Sequence, residues 1–248
     1  MPSKLEDVIA VVLAGGYGTR IKHLLPGVPK PMALVAGKPF VEWVVRYLKT
    51  QGITKVILST GYLAEVVEQH FQHQPVEGVE TICCQEKQPL GTGGGFLNAV
   101  HQSGSSPPAW LVLNGDSLVF THLDSLTTHL LDPKVSGAIL GLSVSDTTRY
   151  GSLMCNQAGD LVKFAEKRPG AGVISAGVYL LRNSLLAEFP QNLPLSFESE
   201  VFPSLLTKNI CLKVATTKAP FLDIGTPESL PQAESFILQN FSKLMNNL

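Results

Sequence analysis

A glycine-rich turn and a nearby lysine are the first residues of this sequence that could bind phosphate. Gly15, Gly16 and Gly18 follow a run of apolar and β-branched residues. Glycines let the backbone approach a ligand closely and direct N–H groups at it. Arg20 adds a planar, permanently charged fork. Lys30, which we expect on an extended segment between two prolines, adds a point charge. These residue types predict a phosphate-binding loop.

Two well-known phosphate loops do not match this segment. A P-loop requires GxxxxGK followed by Ser or Thr, and the sequence has none. A dinucleotide-binding loop requires a third glycine, but Ile21 stands at that position, and residues 36–40 contain no carboxylate. From the residues alone, a glycine turn without a ligand stays open as the alternative.

Two aspartates stand at the ends of apolar segments. Asp116 follows an apolar run and the pair Asn114-Gly115, and Asp223 follows another apolar segment. If the strand before Asp116 neighbours the strand before the glycine turn, its carboxylate lies beside that turn, where ligands of parallel sheets bind. Carboxylate oxygens suit a hard divalent cation. The alternative for each residue is a turn or helix-capping aspartate.

Strands and helices must alternate in the first half to position these residues. The apolar patterns predict strands over residues 8–14, 55–60, 79–84 and 110–113, and helices over residues 40–48 and 63–71. This alternation predicts an α/β fold with a Rossmann-like, doubly wound sheet that is mixed but mostly parallel.

The second half contains strands with few helices between them, so part of it should be antiparallel and form a smaller lobe. We predict one domain, with residues 1–135 and 136–248 as its two lobes. The predicted strands cover residues 138–144, 151–155, 161–164, 173–181 and 210–216, and a helix follows Pro231.

The composition excludes several classes of function. A formal net charge of -1 gives no overall basic field for nucleic acid. No apolar run reaches the ~20 residues of a membrane-spanning helix, and residues 1–7 lack the basic start of a secretion signal. The four cysteines form no CxxC pair and are expected to be buried thiols rather than zinc ligands. We therefore expect a cytoplasmic protein that binds neither nucleic acid nor membranes.

The order of the motifs resembles that of the sugar-phosphate nucleotidylyltransferases. The segment from Leu13 to Arg20, followed by Lys30-Pro31-Met32, is similar to the signature of that family. Within the family, residues 89–94, 149–151 and 196–198 resemble the D-glycero-α-D-manno-heptose 1-phosphate guanylyltransferases. The later motifs, in the family's order, are Pro89-Leu90-Gly91-Thr92-Gly93-Gly94, Asn114-Gly115-Asp116, Tyr150-Gly151, Glu166-Lys167, Gly177-Val178-Tyr179 and Asp223-Ile224-Gly225-Thr226-Pro227-Glu228.

The resemblance implies an enzyme that condenses a sugar 1-phosphate with a nucleoside triphosphate and releases pyrophosphate. It implies a Mg²⁺ ion held by Asp116 and Asp223. It assigns Arg20 to the pyrophosphate, Lys30 to the α-phosphate and Lys167 to the sugar phosphate. Residues expected at the nucleotide are Leu13, Ala14, Gly15, Gly16, Gly18, Thr19, Glu86, Gly91 and Thr92, and residues expected at the sugar phosphate are Gly151, Glu166, Lys167 and Ser175.

Glu86 is our candidate for the residue that recognises the base. An ionised carboxylate accepts hydrogen bonds, and guanine offers two adjacent donors on one edge, whereas uracil offers one. Small residues over 91–95, before a helix predicted to begin near Phe96, would let a flat base lie against the backbone. Related uridylyl enzymes often carry Gln near this place. GTP is therefore favoured, and a solvated strand-end charge is the alternative for Glu86.

The residues expected around the sugar depart from the family's pattern. Residues 175–177 read Ser-Ala-Gly where many relatives have Asn-Gly-Gly, and Arg168 replaces a common proline. A heptose or hexose 1-phosphate guanylyltransferase is favoured over three alternatives: a uridylyl or other nucleotidylyltransferase, a non-catalytic sensor of nucleotide or sugar phosphate, and a glycosyltransferase. The last would need an Asp-x-Asp pair, which Asp116-Ser117-Leu118 lacks. A homo-oligomer is compatible with the sequence.

Overall fold

The computed structural model describes residues 5–165 and 169–245. The strands are β1 (Ile9–Ala14), β2 (Leu34–Val35), β3 (Lys38–Pro39), β4 (Lys55–Thr60), β5 (Glu80–Gln85), β6 (Ala109–Asn114), β7 (Ser117–Val119), β8 (Val135–Val144), β9 (Ser152–Cys155), β10 (Leu161–Ala165), β11 (Gly172–Arg182), β12 (Cys211–Thr217) and β13 (Phe221–Asp223). The helices are α1 (Phe40–Thr50), α2 (Ala64–His73), α3 (Gly91–Ser103), α4 (Asp124–His129), α5 (Phe202–Thr207) and α6 (Ala233–Met245).

The central sheet is parallel in its first half and mixed in its second, as the sequence predicts. Its main strand order is β10-β9-β11-β6-β1-β4-β5, and β8 pairs with both β11 and β12. β1 is parallel to β4 and β6, and β4 is parallel to β5. β11 runs antiparallel to β6, β8 and β9. The antiparallel part of the second half is therefore confirmed, and it continues the same sheet.

Helices cover both faces of the parallel strands. Successive residues of a strand point to opposite faces, and Val11 and Val12 of β1 accordingly enter two different hydrophobic clusters. The cluster around Val12 includes the apolar face of α1, and the cluster around Val11 includes Phe96 of α3. Because helices cover both faces of β1, the residues of this strand are almost all apolar. Polar groups can gather at the carboxyl end of the strand.

Three local predictions were wrong. Lys30–Met32 forms a 3-10 turn rather than an extended segment, because the N–H of Met32 donates to the carbonyl of Pro29 at 2.8 Å. Helix α3 begins at Gly91, before the expected start near Phe96, since the glycine run itself forms the first turn. Cys155 is exposed, whereas buried thiols were expected. Its side chain lies on β9 next to the edge strand β10.

Short elements between the main strands were not predicted at all. They are the β2–β3 hairpin, β7, α4, α5 and β13. The division of the chain into lobes at residues 135 and 136 stays a prediction. In residues 5–165 and 169–245, no helix combines the length and the apolar character needed to cross a bilayer.

Candidate active site

The glycine turn after β1 packs closely against the segment that carries Lys30. Gly18 has a φ of 58°, in the left-handed region that glycine adopts without strain. A Cβ built on Gly18 would lie 2.9 Å from Cβ of Lys30. The glycine therefore allows an approach that a larger residue would prevent, and the lysine stands directly beside the turn.

Asp116 also lies at this turn, because β6 is the neighbour of β1. The register pairs Leu13 with Asn114, and the N–H of Gly115 donates to the carbonyl of Leu13 at 2.9 Å. The ammonium group of Lys30 forms an ion pair with the carboxylate of Asp116. The expected position of Asp116 beside the glycine turn is thus observed.

Asp223 reaches the same place through a separate two-stranded sheet. β13 runs antiparallel to β7, with Asp223 opposite Ser117, and the N–H of Ile224 donates to the carbonyl of Asp116 at 2.9 Å. Burial, and then the negative charge of Asp116, raise the pKa of Asp223, while Lys30 acts in the opposite direction. Two carboxylates and one lysine therefore form a single electrostatic cluster.

This cluster has the donor set of a magnesium site completed by substrate. In the part of the chain that the structure describes, no three His, Cys, Asp or Glu side chains gather into a metal-binding group. Mg²⁺ is commonly held by one or two carboxylates, with water and substrate phosphates supplying the remaining oxygens. Asp116 and Asp223 match that arrangement, and the mutual repulsion of two partly buried carboxylates favours a cation between them.

A cavity of about 320 Å³ lies over the glycine turn and reaches Asp116. Most residues expected at the nucleotide border it. Ala14 is instead buried within β1. Thr19 and Arg20 are exposed to solvent and do not line the cavity. The cavity is lined by Leu13, Gly15, Gly16, Tyr17, Gly18, Lys30, Glu86, Pro89, Gly91, Thr92, Asn114 and Asp116.

Glu86 is a half-buried wall residue of this cavity. Its Oε1 accepts a hydrogen bond from Ser59 Oγ at 3.1 Å, and its Oε2 accepts one from the N–H of Leu90 at 3.1 Å. Burial raises the pKa of Glu86, and both hydrogen bonds lower it. The side chain is held in place at the cavity and is not a freely solvated charge.

The amide groups at the start of α3 are already partly used within the protein. The N–H groups of Gly93 and Gly94 donate to the carbonyl of Leu195 at 2.8 and 3.0 Å. Helix N-termini often bind phosphate through free N–H groups. Here the carbonyl of Leu195 accepts hydrogen bonds from two of these N–H groups, so those two are not free for a phosphate. The bonds connect the start of α3 to the segment that begins at Leu195.

A second cavity, of about 460 Å³, lies on the other side of Asn114. Asn114 lines both cavities. Of the residues expected at the sugar phosphate, Gly151 and Ser175 border the second cavity. Glu166 and Lys167 lie outside the described residues, as does Arg168.

Sequence reasoning assigned no role to three polar residues of the second cavity: Asn114, Tyr179 and Glu198. All three line it. Asn114 and Tyr179 fell within motifs, and Glu198 within a segment typical of the heptose branch, but their side chains had no assigned partner. The signal in the sequence was that each lies in a motif. The pairing of β11 with β6, which brings Asn114 near Tyr179, and the hydrogen bond from Tyr179 to Glu198 are not visible in the sequence.

The arrangement suits the joining of two anionic substrates. Two adjoining cavities meet at Asn114, and Asp116 of the Lys30–Asp116–Asp223 cluster borders the first of them. In-line displacement at a phosphorus atom requires alignment of the reactants and neutralisation of the growing charge, and it needs no covalent intermediate on the protein.

Comparison with known proteins agrees with this chemistry. Residues 9–240 match the family model described as nucleotidyl transferase. The D-glycero-α-D-manno-heptose 1-phosphate guanylyltransferase of Campylobacter jejuni is 34% identical over 220 residues, which are 88% of this chain and 95% of that protein. The mannose-1-phosphate guanylyltransferase of Mycobacterium tuberculosis is 32% identical over 240 residues, 96% of this chain and 66% of that protein.

A solved structure has the same fold over nearly its whole length. The crystal structure of HddC from Yersinia pseudotuberculosis complexed with GMP-PN superposes with a TM-score of 0.77 at 33% identity. The match covers 92% of this chain and 98% of that chain.

Proposed function

Since this chain belongs to the nucleotidyl transferase family and is a sugar-1-phosphate nucleotidylyltransferase, we propose that its nucleotide is GTP and its sugar a heptose or hexose 1-phosphate. The products are then a GDP-sugar and pyrophosphate. The observation that supports this proposal is the Lys30–Asp116–Asp223 cluster: Lys30 and Asp116 line the first cavity, which shares Asn114 with the second.

In the proposed reaction a phosphate oxygen of the sugar 1-phosphate attacks the α-phosphorus of GTP. The new P–O bond forms as the bond from the α-phosphorus to the bridging oxygen breaks, and pyrophosphate leaves with the electron pair. Lys30 leaves its contact with Asp116 and turns to the α-phosphate, where its charge stabilises the five-coordinate phosphorus. Asp116 and Asp223 would hold Mg²⁺, which would supply positive charge against the phosphate oxygens.

The remaining basic residues complete the phosphate contacts in this proposal. Arg20 is exposed at the end of the glycine turn, so it must fold over the triphosphate to hold the leaving pyrophosphate. Lys167 is assigned to the sugar phosphate. Gly151 and Ser175, on the wall of the second cavity, face the sugar.

Glu86 and the guanylyltransferase relatives support GTP as the nucleotide. Glu86 lines the first cavity with a carboxylate that can accept hydrogen bonds from both donors on one edge of guanine. The two curated relatives described above are guanylyltransferases, and the solved relative carries GMP-PN. A base with one donor on that edge would leave one oxygen of the Glu86 carboxylate without a partner from the base. An unpaired acceptor in a half-buried site lowers the free energy gained on binding.

A pyrophosphate-release screen tests the proposal. GTP, UTP, ATP, CTP and dTTP are each combined with a panel of heptose and hexose 1-phosphates in the presence of Mg²⁺. We expect GTP to give the highest kcat/KM with a heptose or mannose 1-phosphate. Equal or better turnover with UTP would reject the choice of nucleotide. Tight binding of substrates without release of pyrophosphate with any pair would indicate a sensor.

A further inference from the structure

We propose that Glu198 is a specificity-determining residue that accepts a hydrogen bond from one hydroxyl group of the sugar. This inference rests on the proposed function, because it assumes that a sugar 1-phosphate occupies the second cavity. It narrows the substrate class to sugars that carry a free hydroxyl, rather than a deoxy or ether position, opposite this carboxylate.

The carboxylate of Glu198 is fixed at the wall of the second cavity. Its Oε1 accepts from the hydroxyl of Tyr179 at 2.8 Å, and its Oε2 accepts from Ser196 Oγ at 3.1 Å and Thr92 Oγ1 at 3.4 Å. Tyr179 is fully buried, and its hydroxyl also accepts a hydrogen bond from Ser175 Oγ at 3.3 Å. The carboxylate is therefore held by three hydroxyl groups from three separate segments of the chain.

Glu198 retains capacity for one more hydrogen bond. A carboxylate offers about four acceptor positions, two on each oxygen. Oε2 uses two of its positions on Ser196 and Thr92, whereas Oε1 uses one on Tyr179. The remaining acceptor position is therefore on Oε1, and it can accept one hydrogen bond. A sugar hydroxyl is such a donor, and a charged acceptor makes the bond stronger than one between neutral groups.

Capping of the following helical turns does not explain Glu198. The backbone there is capped by its neighbours: Ser196 Oγ accepts from the N–H of Ser199 at 3.3 Å, and Glu200 Oε2 accepts from the N–H of Ser196 at 2.6 Å. Among the described residues, the hydrogen bonds to the carboxylate of Glu198 come from side chains, and Glu198, unlike Glu200, lines the cavity. A ligand in the cavity would use the acceptor position that these bonds leave open.

The test measures discrimination between sugars that differ by one hydroxyl. The sugar 1-phosphate that the wild-type protein uses best, and its monodeoxy analogues, are assayed with the wild-type protein and with the Glu198→Ala and Glu198→Gln variants. We expect one analogue to lose about 10-fold or more in kcat/KM with the wild-type protein. That difference should vanish with Glu198→Ala, because the parent sugar then loses the same bond, and it should shrink with Glu198→Gln.

Two further results separate this inference from its alternatives. Glu200→Gln is the matched control: it alters the neighbouring glutamate outside the cavity and should keep the wild-type preference for the parent sugar. If every analogue shows the same penalty in the wild-type protein and in both Glu198 variants, the inference is wrong while the proposed function stands. If no sugar 1-phosphate supports turnover by the wild-type protein, the proposed function itself fails.

Discussion

The ammonium group of Lys30 forms an ion pair with the carboxylate of Asp116, a residue 86 positions further along the chain. Both side chains are more than two-thirds buried, with exposed fractions of 16% and 30%. The lysine partly offsets the negative charge of Asp116, which nevertheless raises the pKa of Asp223. In the proposed function, a bound cation and triphosphate replace this ion pair with two contacts, one between Asp116 and the cation and one between Lys30 and the phosphate.

Replacing Lys30 by methionine should remove most of the turnover. Lys30→Met keeps a similar chain length but removes the charge that we propose to stabilise the phosphorus in the transition state. We expect kcat to fall by about 100-fold or more, in line with the loss of one electrostatic contact to a transition state. Lys134→Met, on an exposed loop before β8, is the matched control and should keep normal turnover. A Lys30→Met variant with wild-type kcat would contradict the assignment.

Replacing Asp223 by asparagine should weaken the response to magnesium. Asp223→Asn removes one of the two carboxylates that we propose as metal ligands but keeps the size of the side chain. We expect the Mg²⁺ concentration for half-maximal rate to rise about 10-fold or more, with partial recovery at high Mg²⁺. The measurement is a Mg²⁺ titration of pyrophosphate release at saturating substrates.

Asp124→Asn is the control for the magnesium titration. Asp124 is an exposed aspartate at the start of α4 and is not among the residues that line the two cavities, and its replacement should leave the titration curve unchanged. Identical curves for Asp223→Asn and the wild-type protein would remove Asp223 from the metal site.

The sequence predicted the strands of the parallel sheet well because each is a continuous apolar run. Residues 55–60 were placed with the observed bounds, and β1 differs by one residue. Strands buried on both faces carry this pattern regardless of their partners. The position of Asp116 beside the turn after β1 follows from the same pattern, once β1 and β6 are adjacent.

The parts that could not be predicted depend on contacts between distant segments. Helix α3 includes Gly93 and Gly94, which are poor helix formers, because Leu195 accepts hydrogen bonds from both N–H groups. Strand β13 is only three residues long and exists through its pairing with β7. Neither interaction can be predicted from the local propensities of the residues. Glu198 was given no role because its contacts with Tyr179 and Thr92 also join distant segments.

The preference for GTP should weaken at low pH if Glu86 recognises guanine. Only the ionised carboxylate can accept from both guanine donors. Burial, partly offset by two hydrogen bonds, raises the pKa of Glu86, so protonation sets in at a higher pH than for an exposed glutamate. As the pH falls through this raised value, the KM for GTP should rise. The measurement is the ratio of kcat/KM for GTP to that for UTP across mildly acidic pH, which cancels effects common to both nucleotides.

Glu86→Gln gives the matching control for the pH experiment. The amide is similar in shape but does not titrate, so the GTP-to-UTP ratio should be lower than in the wild-type protein and constant with pH. A ratio that changes with pH in the same way in both proteins would assign the titration to another group and remove the support for Glu86.

Gly177→Ala should damage both stability and turnover, because Gly177 is in van der Waals contact with Asn114 between the two cavities. Gly177 has a φ of 70°, and a Cβ built there would lie 2.4 Å from Nδ2 of Asn114. Gly159→Ala is the matched control, since its φ is 77° but its nearest neighbour to a new Cβ is 3.9 Å away. The control should cost about 1–2 kcal/mol in the free energy of unfolding from backbone strain alone.

The differences in unfolding free energy and in kcat/KM between the two alanine variants measure the effect of the contact with Asn114. Gly177→Ala should lose a further ~1–3 kcal/mol, the range expected for overpacking, as measured by denaturant unfolding. It should also lower kcat/KM, because Asn114 lines both cavities and must move, whereas Gly159→Ala should not. Equal unfolding free energies for the two variants would mean that Asn114 moves aside without cost. Equal kcat/KM values would mean that the position of Asn114 between the cavities does not matter for turnover.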